Sequence, residues 1–283
     1  MNRITQTFQT LRTQGRKALI GYLTAGDPDL KTSERNIRAA LANGLDILEI
    51  GVPFSDPTAD GPAIQAAGQR ALASGMNLKQ ILALAARLRR SFKTPMILFS
   101  YANPLFRYGY DALCRDAARA GIDGLLVVDL PFEESAELRA PMKRHGLLFI
   151  QLIAPTTSPE RARRLLAEAD GFVYYILVKG VTGARKRLVL STKKNINRLR
   201  TCTDLPIAAG FGISDGAQAR EAVRHADAVV VGSALVEAAR AGRLAALVRE
   251  LAAAVHGMRA KTKIYPRNTQ NDAKNMRESY LYH

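Results

Sequence analysis

With 283 residues, 47% of them hydrophobic, the chain can bury a large core as one α/β barrel or as two smaller domains, which excludes disorder over most of its length. No apolar run approaches the roughly 18 residues that a membrane helix needs, and the polar stretch from Met1 to Gly15 lacks a signal-peptide core, so the expected compartment is the cytoplasm. The formal net charge of +16 calls either for anionic ligands or for a solvated basic face, while Cys114 and Cys202 are too few for a disulfide framework and lack C-x-x-C spacing, so a reduced compartment is the simplest reading.

Along the chain, short apolar runs recur at 18–23, 47–50, 96–99, 124–127, 148–153, 172–177, 206–209 and 228–231. Amphipathic segments lie between them, with Ser33, Ser158 and Ser214 as expected N-caps. An additional helix is expected ahead of the first strand. The junctions repeat as well: Gly44-Leu45-Asp46, Gly121-Ile122-Asp123 and Ala226-Asp227 each close a helix and open a strand. Most runs are one βαβ unit apart, with a longer interval after the second. The expectation is a single α/β domain over 1–257, a (β/α)8 TIM barrel, followed by a basic, polar and weakly ordered tail over 258–283. A doubly wound open sheet is the alternative, although Thr24-Ala25-Gly26-Asp27-Pro28 does not supply its glycine-rich turn.

Glu49 ends the second apolar run, where a carboxylate is costly to ionise. Asp60 follows eleven residues later in a loop stiffened by Pro53, Pro57 and Pro62. One acid on a strand end and one on a held loop form the layout of a general acid/base pair. The plainer alternative is a solvated strand-end Glu and an ordinary Asp-Gly turn. In a barrel the active groups sit at the C-terminal ends of strands, where Glu49 falls.

Glycines mark the last three strand ends: Gly180 and Gly183 around Val181-Thr182, Gly210 and Gly212 around Phe211, and Gly232 before Ser233. Each alone reads as a tight turn; together they suggest a phosphate cradle completed by the helix start at Ser233. Tyr22, Phe99, Tyr101, Leu126, Ile153 and Tyr174 are expected to line the mouth between the carboxylates and the cradle, some as core packing. Such a slot suits a flat apolar head on a phosphorylated tail. His145, His225, His256 and His283 fall away from these motifs, which argues against a zinc site or a His-based triad. Neither a metal nor another cofactor is expected.

The charge is partly local. Residues 179–200 carry eight basic side chains and no acid, and 258–283 carry six against Asp272 and Glu278. No helix-turn-helix, zinc-finger or RNA-recognition pattern accompanies them, so a solvated basic face is expected rather than a specific nucleic-acid site.

The segments Tyr22 to Pro28, Glu49 to Pro57, Ala59 to Pro62, Asp129 to Pro131, Ala154 to Thr157, Gly180 to Gly183 and Gly210 to Ser214 together resemble the tryptophan synthase alpha subunit family. The resemblance covers approximately residues 8–255. It implies a TIM barrel that cleaves indole-3-glycerol phosphate to indole and glyceraldehyde 3-phosphate without a cofactor, working with a pyridoxal-phosphate beta subunit in an α2β2 heterotetramer. It further implies Glu49 as the acid/base and Asp60 as the partner of the indole N–H. Gly183, Phe211, Gly212, Gly232 and Ser233 would hold the phosphate, with Thr182 in a lid that orients Asp60. Three positions depart from the family pattern: Gly21, Thr58 and Leu177. The rival readings are a free-standing lyase, or a barrel kept as a non-catalytic activator.

Overall fold

The protein was analysed as a computed structural model that describes residues 1–176, 193–210 and 212–258. Its apolar runs form β1 (Ala18–Thr24), β2 (Ile47–Gly51), β3 (Met96–Ser100), β4 (Gly124–Val127), β5 (Leu148–Phe149), β6 (Gln151–Ile153), β7 (Val173–Ile176), β8 (Ile207–Gly210) and β9 (Ala228–Val231). Every pairing is parallel, in the order β5-β4-β3-β2-β1-β9-β8-β7-β6. The two outer segments are interrupted only by Ile150, whose N–H still donates to Leu125 O at 2.9 Å. Residues 148–153 are therefore one stave, bonded to β4 through its first half and to β7 through its second. The sheet closes into eight staves, which removes the free edges an open doubly wound sheet would leave.

Around the barrel run α1 (Arg3–Thr13), α2 (Leu30–Ala42), α3 (Pro62–Ala73), α4 (Leu78–Arg89), α5 (Ala102–Tyr108), α6 (Tyr110–Ala120), α7 (Ala136–Arg144), α8 (Pro159–Leu166), α9 (193–199), α10 (Gly216–Val223), α11 (Ser233–Arg240) and α12 (Leu244–His256). Strand side chains alternate between two environments, as the pleat demands. Ala18, Ile20, Ile47, Ile97, Leu126, Phe172, Ala208 and Val230 fill the barrel, while Leu19, Leu48, Leu98, Leu125 and Val229 pack against the helices. The expected extra helix is α1, whose Ile4, Phe8 and Leu11 join the interior cluster and close the barrel floor. The Phe8 and Phe172 rings lie 5.5 Å apart. On the outer face of β1, a Cβ on Gly21 would come within 2.7 Å of Leu45 and 2.9 Å of Leu235, so packing accounts for this departure from the family pattern.

The caps correct two expectations. Ser158 caps α8 as expected, accepting from Arg161 N. The cap of α2 is Asp29, four residues before Ser33; the buried Ser33 hydroxyl instead accepts the Gly26 N–H at 3.0 Å. The cap of α10 is Asp215 rather than Ser214. In both cases an Asp oxygen lies nearer the first free amides and wins the position.

The repeated helix-to-strand junctions gain a physical meaning at the barrel floor. Asp46 accepts from Leu19 N at 2.7 Å, Asp123 from Met96 N at 2.8 Å and Asp227 from Ile207 N at 3.0 Å. Each aspartate thus satisfies the opening of the neighbouring stave, and each meets a basic side chain: His256 for Asp46, Arg89 and Arg3 for Asp123, Arg200 and Lys17 for Asp227. These knots lie at the end opposite the candidate site and serve stability.

Candidate active site

Glu49 points inward from β2, in register with Tyr22 of β1 and Ile97 of β3. It is 0% exposed, and among the described residues neither carboxylate oxygen has a hydrogen-bond partner. Burial without compensation pushes its pKa up to about 8, because the charged form is the one that desolvation penalises. Glu49 therefore sits protonated at neutral pH, able to give a proton and then to take one.

Asp60 belongs to the loop over 52–61 between β2 and α3, which is tied at several points. Asp60 N donates to Pro57 O at 3.2 Å, and Gln65 Nε2 donates to Asp60 O at 2.8 Å. The Tyr101 hydroxyl accepts the Ala59 N–H at 2.9 Å, beside the Asp60 carboxylate. Burial raises the Asp60 pKa, and the nearby Tyr101 hydroxyl opposes that rise. Tyr101 itself is pushed up to about 12, first by burial.

The walls between the carboxylates are aromatic. Tyr22 and Phe99 meet edge to face, with centroids 5.1 Å apart and planes at 78°. A Cβ on Gly51 would lie 2.1 Å from the Tyr22 hydroxyl, and one on Gly210 would lie 2.6 Å from the Tyr174 hydroxyl. These two glycines make room for the phenol rings, a close approach no larger residue allows. Burial raises both tyrosines, and the charge of Glu49 adds to each. Tyr22 also senses Asp60, so its ring lies in the field of both acids. Leu126 faces the interior, where it is packed in the barrel core.

Ile153 is a correction to the expected lining. It packs with Ala162, Leu165, Leu166, Ile196 and Leu199 on the outer side of the barrel, and Leu152 takes the inward position. Adjacent strand residues face opposite ways, so a one-residue error in parity exchanges wall for support. Ile64 of α3 was not foreseen as a wall residue. It packs beside Tyr22, Ala67, Val236 and Phe99, and its place in the first turn of α3, just after the Asp60 loop, gave no periodic signal.

At the other end of the mouth, Gly232 is the N-cap of α11 and Ser233 its first residue, with no acid in the first turn. A Cβ on Gly232 would rest 3.6 Å from both Ile64 and Tyr22, and one on Gly61 would lie 3.9 Å from Ser233 Oγ. The amides that open α11 therefore border the aromatic slot and the Asp60 loop, in the position of an anion site. Gly212 adopts φ +75°, the left-handed region that favours glycine. Leu177, Thr182, Gly183 and Phe211 lie outside the described residues, as does the stretch beyond Met258.

The sequence profile of the family described as tryptophan synthase alpha chain matches residues 8–263. The tryptophan synthase alpha chain of Desulfosudis oleivorans is 50% identical over 234 residues, covering 83% of this chain and 88% of the relative. That of Geobacter sulfurreducens is 46% identical over 259 residues, or 92% of this chain and 98% of the relative. Among solved structures, a chain of Mycobacterium tuberculosis tryptophan synthase superposes with a TM-score of 0.84 at 39% identity, covering 90% of this chain and 98% of that one.

Proposed function

The chain belongs to the tryptophan synthase alpha chain family, and on that premise we propose that it is a carbon–carbon lyase that cleaves indole-3-glycerol phosphate to indole and glyceraldehyde 3-phosphate. The observation that carries this reading is Glu49: a fully buried carboxyl, without a hydrogen-bond partner among the described residues and raised to about 8, on the inner face of barrel strand β2. Its proton goes to indole C3. The resulting carboxylate takes the proton of the hydroxyl on the adjacent glycerol carbon as the bond from that carbon to C3 breaks, leaving an aldehyde and indole. Glu49 ends protonated, as it began.

Asp60 accepts the indole N–H and stabilises the positive charge that grows on the ring nitrogen when C3 is protonated. Tyr22, Phe99, Tyr101, Leu126 and Tyr174 form the slot that orients the ring. Gly212, Gly232 and Ser233, with Gly183 and Phe211, hold the phosphate, and Thr182 serves in a lid over the site. No cofactor enters these steps.

The phosphate role has a direct test. Gly212→Val places a β-branched side chain at φ +75°, which the backbone there resists. Since a hydrogen bond to a charged group contributes about 1.5–3 kcal/mol, losing even one should weaken glycerol phosphate binding by tenfold or more. Calorimetry on the folded variant reads this; unchanged affinity would remove Gly212 from the cradle.

Indole passes, in this reading, to a pyridoxal-phosphate beta subunit within an α2β2 assembly in the cytoplasm. Among the described residues no helix is long and apolar enough to cross a membrane. The catalytic unit spans 1–257, ending with the C-cap of α12 at Gly257, and 258–283 forms a tail dispensable for the chemistry. The isolated chain should release indole from indole-3-glycerol phosphate slowly, and a cognate beta subunit should accelerate it, because docking would settle the Asp60 loop. A chain that yields no indole with the beta subunit present would sink the assignment; full activity alone would favour the free-standing lyase.

A further inference from the structure

Between β2 and α3 the chain reaches Asp60 without helix or strand, so the placing of its carboxylate depends on what holds α3. That helix starts at Pro62, two residues after Asp60, and its N-cap Gly61 offers no side-chain bond. Gln65 in the first turn donates through Nε2 to Asp60 O at 2.8 Å and to Pro57 O at 3.4 Å. Ile64 beside it packs into the wall with Tyr22 and Phe99. The start of α3 therefore carries the Asp60 backbone and part of the slot as one piece. Two turns after that start, Arg70 meets Asp27 in a bidentate pair, Nε to Oδ1 at 2.6 Å and Nη2 to Oδ2 at 2.9 Å. Just past the helix, Met76 packs on Gly26, where a Cβ would lie 2.6 Å from its Cγ. Gly26 and Asp27 belong to the short connection between β1 and α2, and β1 carries Tyr22 in register with Glu49 of β2. One ion pair thus refers the helix that begins at the Asp60 loop to the strand pair that bears Glu49.

We propose that Arg70 is a positioning residue for Asp60: its fork on Asp27 sets the tilt of α3 against β1 and β2, and α3 sets where Asp60 stands relative to Glu49. The identity of what Asp60 meets rests on the lyase reading above. Apolar packing of the buried Ala67 and Ala71 keeps α3 close to the barrel, but that attraction has no direction. A bidentate guanidinium–carboxylate pair does, since two parallel bonds fix orientation as well as distance. Pro62 lies about 12 Å along the helix axis from Arg70, so a tilt of about 5° at the Arg70 end would carry the Asp60 end through about 1 Å. A displacement of that size at a reacting group can cost about 10²-fold in rate.

Arg70→Met keeps an unbranched apolar stem and removes the fork. Measured with saturating beta subunit, kcat for indole formation should fall about 10- to 100-fold, because Asp60 acts on charge that grows in the transition state. The glycerol phosphate Kd, read by calorimetry, should stay unchanged, since the amides of that site belong to α11 and to the loop after β8. Asp27→Asn should lose a similar factor, and the double variant should lose no more than either single one, as partners in one interaction do. Arg70→Lys, which keeps the charge and a donor without the fork, should recover part of the rate. In the free chain, hydrogen exchange at the Ala59 amide, which bonds the Tyr101 hydroxyl, should accelerate more than exchange at the Met96 amide of the barrel floor. Arg87→Met is the control: it removes a pair of similar exposure, with Glu34 at 2.8 Å, away from the loop, and should leave kcat and Ala59 exchange unchanged. Unchanged kcat, additive losses, a parallel loss of glycerol phosphate affinity, or exchange that rises equally at both amides would each overturn the proposal. Should Arg70→Met not fold, Arg70→Lys and Asp27→Asn decide by the same readouts. If the wild-type chain forms no indole, the lyase reading fails, and exchange at Ala59 still decides whether Arg70 governs the loop.

Discussion

Glu49→Gln is expected to lower indole formation by about 10²- to 10⁴-fold, the usual cost of losing a general acid/base, while making the protein more stable at neutral and alkaline pH. The two effects have one cause. Native Glu49 holds its proton up to about pH 8, whereas in the unfolded chain it ionises near pH 4.5, its ordinary value. Between those values the folded state binds more protons than the unfolded state, so stability falls as pH rises through the window. By pH 7 the deficit is about 3 kcal/mol, taken at 1.36 kcal/mol per pKa unit. Glutamine keeps the volume and cannot ionise, so the variant should match the wild type near pH 4.5 and exceed it increasingly towards pH 8. Denaturant titrations at a series of pH values, read beside indole assays, test both halves. Near-normal turnover would remove Glu49 from the chemistry, and parallel stability profiles would contradict its uncompensated burial.

The second large effect is expected far from the slot, at Asp123. Its side chain is 2% exposed and receives Arg89 and Arg3, each at 2.8 Å, together with the Met96 N–H. Arg89 also donates to the carbonyls of Gly121, Phe92 and Thr94, so one ion pair ties the ends of α4 and α6 to the floor of β3 and β4. Asp123→Ala would leave a half-buried guanidinium and a strand amide without their acceptor. Breaking such a pair typically costs about 3–5 kcal/mol, a large share of the stability of a domain this size. The comparison is Glu133→Ala, which removes an exposed pair with Arg161 and should shift stability by less than about 1 kcal/mol. Urea midpoints for the two variants decide the matter; equal small shifts would show that the floor knots do not hold the barrel. Indole formation per folded molecule should survive Asp123→Ala, since the knot lies at the opposite end from Glu49.

Much of this protein is legible in its residue order because the signals are local. Apolar runs separated by helical spacing give eight staves and their helices, and an acid inside the 47–50 run marks Glu49 through its desolvation cost alone. The helix-to-strand junctions are visible too, although what they do becomes clear only when Asp46, Asp123 and Asp227 are seen to accept amides at the start of neighbouring strands. Three things required the folded molecule. The stave over 148–153 is split at Ile150 and pairs on both edges, and its parity puts Leu152 inside and Ile153 outside; facing is set by partners distant in sequence. The caps of α2 and α10 go to Asp29 and Asp215, because several eligible side chains compete and geometry selects one. Glu49, Tyr101 and Asp60 converge only because β2, the end of β3 and one loop meet at the barrel mouth. Whether a buried carboxyl is paired or left alone depends on that convergence, and residue order cannot carry it.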